Sequence, residues 1–254
     1  MNEKVIIVLP AYNAEKTLEK TVREIPAEYA KDIILVDDCS RDKTVEAARK
    51  MGLHCFVHEK NLGYGGNQKT CYKLALQKGA DIVVMLHPDY QYEPRFIPYL
   101  VEPIRNGDFD IMLGSRMISR REVLAGGMPL YKYLSNRFLT IIENIILGLS
   151  LSEFHTGYRA YSRRTLEALP FLTNSDNFVF DAELLIQAAY QNLRIGEIFV
   201  PTKYFPEASI INFRRSLVYG WGTLLALAKF LIAKFKLGKP KIFFPSGNPS
   251  HDGK

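Results

Sequence analysis

Cysteine is scarce in this chain. The 254 residues hold only Cys39, Cys55 and Cys71, an odd number without CxxC spacing. That pattern excludes a disulfide framework and a cysteine-built zinc site, and it suits a reducing compartment. No signal segment is expected either, because Met1-Asn2-Glu3-Lys4 runs directly into an apolar strand. No internal repeat or low-complexity tract is visible, which excludes solenoid and propeller architectures. The Gly-rich segment Asn61-Leu62-Gly63-Tyr64-Gly65-Gly66-Asn67 lacks a GK[ST] ending, so it is not a phosphate loop of the Walker kind. The uncharged run Ser216–Ala228 covers 13 residues, short of the roughly 20 that a membrane-spanning helix needs.

What the chain does have is an ordinary globular composition, 47% hydrophobic and 24% charged. Its length suits one large α/β domain, alone or with an appendage. The net charge of +6 is uneven. Residues 213–254 carry eight Lys or Arg and one acid, whereas residues 1–212 carry 25 basic and 26 acidic side chains. A neutral body with a basic tail implies a partner or a surface for the tail. Nucleic acid is not expected as that partner. With Tyr219 and Trp221 beside Lys229, Lys234 and Lys236, the tail reads as a helix lying in a membrane interface, or as one packing on the body or on another subunit.

The first half alternates strand and helix. Strands are predicted over Val5–Leu9, Asp32–Val36, Leu53–Val57, Asp81–Leu86 and Asp110–Gly114. Helices are predicted over Ala14–Ile25 (with Asn13 as N-cap), Asp42–Met51, Asn67–Lys78 and Arg95–Arg105. Met117–Met128 reads as a mobile loop. Tyr131–Leu149 reads as a long amphipathic helix, Thr156–Tyr161 as a strand, Phe178–Gln191 as a helix and Arg194–Val200 as a strand. The tail beyond Pro245, polar and rich in Gly and Pro, is expected to be disordered. Such alternation predicts an α/β fold with a mostly parallel central sheet and helices on both faces.

Ligands of such sheets bind beyond the carboxyl ends of the strands, and two strands here end in acid. Ile33-Ile34-Leu35-Val36 closes in Asp37-Asp38, and Ile82-Val83-Val84-Met85-Leu86-His87-Pro88 leads to Asp89. Adjacent acids repel unless a base edge, ribose hydroxyls or a metal receives them. Helix capping by Ser40 and Asp42 accounts for neither Asp37 nor Asp38. The turn Pro10-Ala11-Tyr12-Asn13-Ala14-Glu15 opens a helix and offers backbone N–H groups to a ligand. Gly66 and its neighbours either pack closely or let a diphosphate approach the backbone. Asp89 suits a hard cation, with His87 or Gln91 beside it, and an imidazole would favour Mn²⁺ over Mg²⁺. The alternative for His87 is a hydrogen-bonding rim residue. Arg116, Arg120, Arg121 and Arg159 could grip a phosphate. Glu153, Asp181 and Glu183 are candidate bases, and helical spacing keeps the last two from reaching one substrate together.

These blocks together resemble glycosyltransferase family 2. The resemblance rests on Pro10-Ala11-Tyr12-Asn13-Ala14-Glu15, Asp37-Asp38-Cys39-Ser40-Arg41-Asp42-Lys43-Thr44, Asn61-Leu62-Gly63, the Asp89 loop through Gln91 and Pro94, and Gly114-Ser115-Arg116. It covers roughly residues 4–205. With Thr156-Gly157-Tyr158-Arg159-Ala160, the chain looks most like the dolichol-phosphate mannosyltransferase group of polyprenyl-phosphate glycosyltransferases. The resemblance implies a GT-A domain over 1–212, a basic amphipathic helix over 213–244 and a tail over 245–254. It implies an inverting hexosyltransferase that moves a sugar from a nucleotide-diphosphate sugar to a polyprenyl phosphate in cell-envelope glycan synthesis. Pro10, Ala11, Tyr12, Asn13, Glu15, Asp37 and Asp38, with Gly66, would hold the donor nucleotide. Asp89 would take the metal-bridged diphosphate, Mg²⁺ or Mn²⁺, with Gln91 and His87 near it. Ser115, Arg116 and Arg159 would bind the acceptor phosphate, and Asp89, Asp181 and Glu153 are the catalytic candidates. Two departures stand out. His87 replaces the first acid of the family's Asp-x-Asp loop. Tyr204-Phe205-Pro206-Glu207-Ala208-Ser209 stands where relatives have Arg-x-Gly-x-Ser.

A polyprenyl phosphate is already anionic and needs positioning rather than a base, whereas a glycan hydroxyl must lose a proton. A transferase acting on a glycan hydroxyl is therefore one alternative. A non-catalytic nucleotide-sugar-binding subunit is the other. The expected location is cytoplasmic, peripheral on the inner face of the membrane, where the basic helix meets anionic lipid. A homodimer mate or a membrane subunit stays open as a further partner.

Overall fold

Alternating burial builds a central sheet clad on both faces. A computed structural model describes residues 3–117, 119–202 and 213–245. Its strands are β1 (Val5–Ala11), β2 (Ile33–Asp37), β3 (His54–Val57), β4 (Ile82–Met85), β5 (Ile111–Ser115), β6 (Arg159–Ser162) and β7 (Ile195–Phe199). They form one seven-stranded sheet in the order β3-β2-β1-β4-β6-β5-β7. All pairings are parallel except those of β6, which runs antiparallel to both β4 and β5. In β1, Ile6 and Val8 join one hydrophobic cluster, while Ile7 and Leu9 join the cluster on the opposite face. That is the period of two that an extended chain imposes.

The helices follow the same logic. On one face α1 (Leu18–Arg23), α2 (Thr44–Lys50) and α4 (Ile97–Arg105) bury Leu18, Ala48, Ile97, Leu100 and Val101 against the sheet. On the other face lie α3 (Tyr64–Gln77), α7 (Arg163–Ala168), α8 (Phe180–Tyr190) and α9 (Phe213–Lys234), with Tyr72, Leu166, Leu184, Leu185, Ala226, Leu227 and Phe230 in the cluster. Two helices precede β6, α5 (Arg120–Ala125) and α6 (Leu130–Leu147).

The structure corrects several expectations. Asn13 does not cap α1: it sits at φ 51° and its side-chain oxygen accepts from Arg41 N, while the helix begins five residues later at Leu18. The segment expected as a loop over Met117–Met128 contains α5, because Ser119 accepts from Glu122 N and supplies a real N-cap. The strand expected over Thr156–Tyr161 starts only at Arg159. Helix α3 begins three residues before Asn67, inside the Gly-rich segment.

The tail helix also differs from its sequence outline. α9 spans 22 residues, roughly 33 Å at 1.5 Å per residue, so it is long and apolar enough by length and composition to cross a membrane. The 13-residue argument against spanning therefore fails. Packing supplies a different one: Ala226, Leu227, Phe230 and Ala233 are buried in the same cluster as the central strands. The segment Tyr204–Ser209 and the tail beyond Pro245 lie outside the described residues.

Candidate functional site

The carboxyl ends of β1 and β2 are stitched together by side chains. Asn13 N donates to Ser40 Oγ (2.8 Å), Ala14 N to Thr44 Oγ1 (2.8 Å), and Glu15 N to Asp42 Oδ2 (3.0 Å). In return Lys43 N donates to Glu15 Oε2 at 3.2 Å. Pro10 and Ala11 are buried within β1, whereas Tyr12, Asn13 and Glu15 are exposed at this edge. The two acids at the end of β2 have different surroundings. Asp38 is spent internally: Oδ1 accepts from Leu62 N (2.7 Å) and lies 2.9 Å from His58 Nδ1, and Oδ2 accepts from Gly63 N (3.0 Å). Its carboxylate holds the Asn61–Gly63 turn and does not face the open edge as expected. Asp37 is wholly buried; Oδ2 accepts from Ser40 N at 2.9 Å, and Oδ1 has no hydrogen-bond partner among the described residues. A buried carboxylate oxygen without a donor is costly and demands a reason.

The glycines of the second turn serve packing. A Cβ on Gly65 would lie 2.3 Å from Ser175 O, and one on Gly66 would lie 2.9 Å from Leu62 Cβ and 3.5 Å from Asp176 Oδ1. Gly66 N also points at Asp176 O, 3.3 Å away. The close backbone approach seen here is to the protein's own Ser175–Asp176 segment.

Beyond β4, Tyr64 joins two of the expected residues. Its hydroxyl donates to Asp181 Oδ2 (2.7 Å) and lies 3.1 Å from His87 Nε2, and its ring stacks on His87 with centroids 5.3 Å apart. Burial and the nearby Asp181 charge push the Tyr64 phenol well above its ordinary value, so it keeps its proton. That single proton goes to the carboxylate, so His87 Nε2 must be the donor towards Tyr64 oxygen. Burial pushes the imidazole down against the pull of Asp89 and Asp181, and a neutral ring leaves Nδ1 with a lone pair. Gly157 makes room for this ring, since a Cβ there would lie 2.6 Å from His87 Cδ2. Asp89 is half-buried one turn of loop away, with Oδ1 accepting from Gln91 N at 3.2 Å. Tyr90, between them, is held at φ 59°. Asp181 also accepts from Gln68 Nε2 (3.2 Å), while Glu183 turns away and accepts from Ser175 N (2.6 Å).

Among the described residues no group of three or more His, Cys, Asp or Glu could cage a metal. The donors at the end of β4 are one carboxylate, Asp89, and one imidazole, His87. That set fits Mg²⁺ or Mn²⁺, which bind through one or two protein ligands and complete their shell with phosphates and water.

The acceptor-side candidates separate. Arg159 is fully buried and spends its guanidinium on Thr156 O (2.7 Å), Phe154 O (2.8 Å) and Asp181 O (2.9 Å). Ser115 is also buried, with Oγ 2.6 Å from Ser152 Oγ and accepting from Met117 N. Both build the frame, and neither is exposed to a phosphate. Glu153 is wholly buried and accepts from Arg116 N (2.8 Å), Arg116 Nε (2.9 Å) and Asn136 Nδ2 (2.7 Å), with Arg116 Nη2 closing the pair. Burial alone would raise its carboxyl, but the charge and hydrogen bonds of Arg116 outweigh that and leave it below the ordinary range. The carboxylate is thus committed to Arg116 and Asn136. Arg120 and Arg121 are exposed on α5.

Residues missed by sequence reasoning complete the picture. Lys132, in the first turn of α6, is pushed below its ordinary value by partial burial and by the Arg116 charge, so two cations converge here. Tyr64 was hidden among glycines and His155 within a loop. Their partners come from distant chain positions, which leaves no local signal in the sequence.

A mixed seven-stranded sheet with acids at its carboxyl edge is the frame of a GT-A enzyme. Residues 6–169 match the model for glycosyl transferase family 2, and the chain belongs to that family and is a glycosyltransferase. It is 30% identical over 222 residues to UDP-N-acetylglucosamine–dolichyl-phosphate N-acetylglucosaminyltransferase of Methanococcus voltae, covering 80% of this chain and 88% of the relative. It is 27% identical over 202 residues to undecaprenyl-phosphate mannosyltransferase of Micrococcus luteus, covering 77% and 82%. Glucosyl-3-phosphoglycerate synthase from Mycobacterium tuberculosis, solved with Mn²⁺, UDP-glucose and phosphoglyceric acid, shares the fold with a TM-score of 0.68 at 21% identity, over 90% of this chain and 80% of that one.

Proposed function

We propose that this enzyme transfers a hexose from a nucleotide-diphosphate sugar to a polyprenyl phosphate at a membrane surface, with inversion. One observation carries the choice of acceptor. Both candidate bases beside the site are already committed, Glu153 to Arg116 and Asn136, and Asp181 to Tyr64 and Gln68. Two cations, Arg116 and Lys132, converge on the same side. A site that offers positive charge and no uncommitted base suits an acceptor that arrives ionised. The named relatives in Methanococcus voltae and Micrococcus luteus, acting on dolichyl and undecaprenyl phosphate, support the same choice.

On the donor side exposed Tyr12 would stack on the face of the nucleobase, at the edge where Asp37 lies buried beneath. Asp89, with His87 Nδ1 and Gln91, would hold Mg²⁺ or Mn²⁺, which stabilises the charge of the departing nucleoside diphosphate. The Tyr64–Asp181 contact fixes the imidazole tautomer, so His87 presents its lone pair to the diphosphate side. Arg116, rigid in its grip on Glu153, and Lys132 would orient the acceptor phosphate for in-line attack.

The membrane surface is read from two helices. α6 exposes Leu130, Leu134, Phe138, Ile141 and Ile145 at helical spacing. α9, which packs on α6 at Gly220 and Leu139, exposes Leu217, Val218, Trp221 and Leu225. Because the other stripe of α9 is buried against the sheet, the helix lies in the interface plane rather than crossing it. Arg214, Arg215, Lys229, Lys234 and Lys236 on or just after α9 would each add about 1 kcal/mol on anionic lipid. The enzyme then works from the cytoplasmic side.

The test is a transfer assay pairing UDP-GlcNAc, UDP-glucose and GDP-mannose with undecaprenyl phosphate, dolichyl phosphate and the corresponding free alcohols, each with Mg²⁺ or Mn²⁺. The expected product is a sugar–phosphate–lipid formed only from the phosphates. Turnover of an alcohol or a glycan hydroxyl, with both lipid phosphates inert, would overturn the proposal.

A further inference from the structure

Glu143, on α6, lies wholly inside the protein, and neither of its carboxylate oxygens has a hydrogen-bond partner among the described residues. Burying charge without donors is unfavourable. Beside it is His155, whose Nε2 stands 3.2 Å from Glu143 Oε2, within ion-pair range but without hydrogen-bond alignment. The other imidazole nitrogen, Nδ1, is 2.6 Å from the Tyr219 hydroxyl on α9, and the two rings meet edge to face at 5.3 Å. One imidazole is therefore gripped by both amphipathic helices.

The backbone of His155 belongs to the acceptor side of the site. Its carbonyl accepts from Arg116 Nη2 at 2.8 Å. Two residues earlier, Glu153 holds Nε and Nη2 of that guanidinium. Two residues later, Gly157 backs the His87 ring and donates its N–H to Tyr92 oxygen at 3.1 Å. A five-residue stretch thus touches Arg116, His87 and, through one side chain, the two helices with exposed apolar stripes.

We infer that His155 is a positioning residue: the seating of α6 against α9 passes through the Glu143–His155–Tyr219 row to Arg116 and His87, so that a lipid surface engaging the helix pair organises the acceptor side. This rests on the membrane reading above. The row has its Tyr219 contact made and its Glu143 contact close but misaligned, so a slight rotation of α6 completes it. Packed interfaces of this kind shift between discrete arrangements rather than deform continuously.

The experiment uses the full chain as wild type, Tyr219→Phe and Glu143→Gln, with a short water-soluble polyprenyl phosphate as acceptor. Rates are measured with and without phosphatidylcholine–phosphatidylglycerol vesicles, and vesicle flotation is measured in parallel. Vesicles should improve wild-type kcat or acceptor KM by at least about fivefold. Both variants should float like wild type and keep its donor KM, yet lose that stimulation. If either variant unfolds, His155→Gln is judged by the same ratio. Stimulation of the folded variants within about twofold of wild type, or a wild type that floats without being stimulated, overturns the inference while leaving membrane docking intact. A wild type that does not float overturns the membrane reading and this inference with it.

Discussion

Gly157→Ala tests the link between backbone and site most directly. The added methyl would sit 2.6 Å from His87 Cδ2 and 2.7 Å from His87 Nε2, with Tyr64 Oη 3.4 Å away. Real carbon contacts need roughly 3.5–4.0 Å, so the ring must move by about 1 Å. It cannot do so without loosening its stack on Tyr64 and the 3.1 Å contact with the Tyr64 hydroxyl. Overpacking of this kind costs about 1–3 kcal/mol. For a chain of this size each kcal/mol lowers Tm by about 2–4 °C. The diagnostic quantity is a double-mutant cycle with His87→Ala, which removes the atoms the methyl would strike. Gly157→Ala should be costly in the wild type and nearly neutral in His87→Ala, a coupling of about 1–3 kcal/mol by urea denaturation. Transfer activity should fall in Gly157→Ala, because the His87 ring proposed to serve the diphosphate side has been displaced. Equal costs in the two backgrounds would refute the reasoning.

The remaining predictions concern other parts of the site. Asp89→Asn should lower metal-dependent transfer by at least about a hundredfold, the equivalent of losing several kcal/mol of charge stabilisation, in an assay titrating Mn²⁺. Glu153, whose folded carboxyl is held down by Arg116, contributes stability that is present above its unfolded value and is lost as pH falls through the folded one. Urea midpoints should therefore decline below about pH 4.5. In Glu153→Gln, which removes the carboxylate from the half-buried Arg116 guanidinium, stability should already be lower at neutral pH, by up to about 3 kcal/mol. Gly66→Ala should lower Tm yet leave the nucleoside-diphosphate Kd within about twofold by calorimetry, since its surroundings are protein and not ligand.

The chain displayed its sheet openly because buried strands leave continuous apolar runs, and Ile33–Val36 or Ile82–Met85 have no other reading. The acids that follow them were legible for the same reason, as abrupt changes of polarity. What stayed hidden depends on contacts remote in sequence. Arg159 looks like a surface cation until Phe154, Thr156 and Asp181 close around it. Glu153 looks like a base until Arg116 and Asn136 arrive from positions 37 and 17 residues away. Asp37 and Asp38 are neighbours with the same chemistry, and only the path of the Asn61–Gly63 turn decides which of them is consumed. Helix α5 is masked by Gly126-Gly127, which follow it and suggest a loop, although Ser119 and Glu122 form a recognisable cap.

The reversed strand has a consequence for how this enzyme can change. Each parallel strand brings its finishing end to the ligand edge, and the loop after it continues into a helix. β6 alone brings its starting end there, with Arg159 beside Met85 and Leu113. The stretch between β5 and β6, including α5, α6 and the Glu153–Gly157 segment, is therefore a single excursion that leaves the ligand edge and returns to it. The residues proposed to hold the donor lie on the turns after β1, β2 and β4, outside that excursion. On the proposed reading, grafting residues 116–158 from a relative with a different lipid should move the lipid choice and leave the nucleotide choice behind.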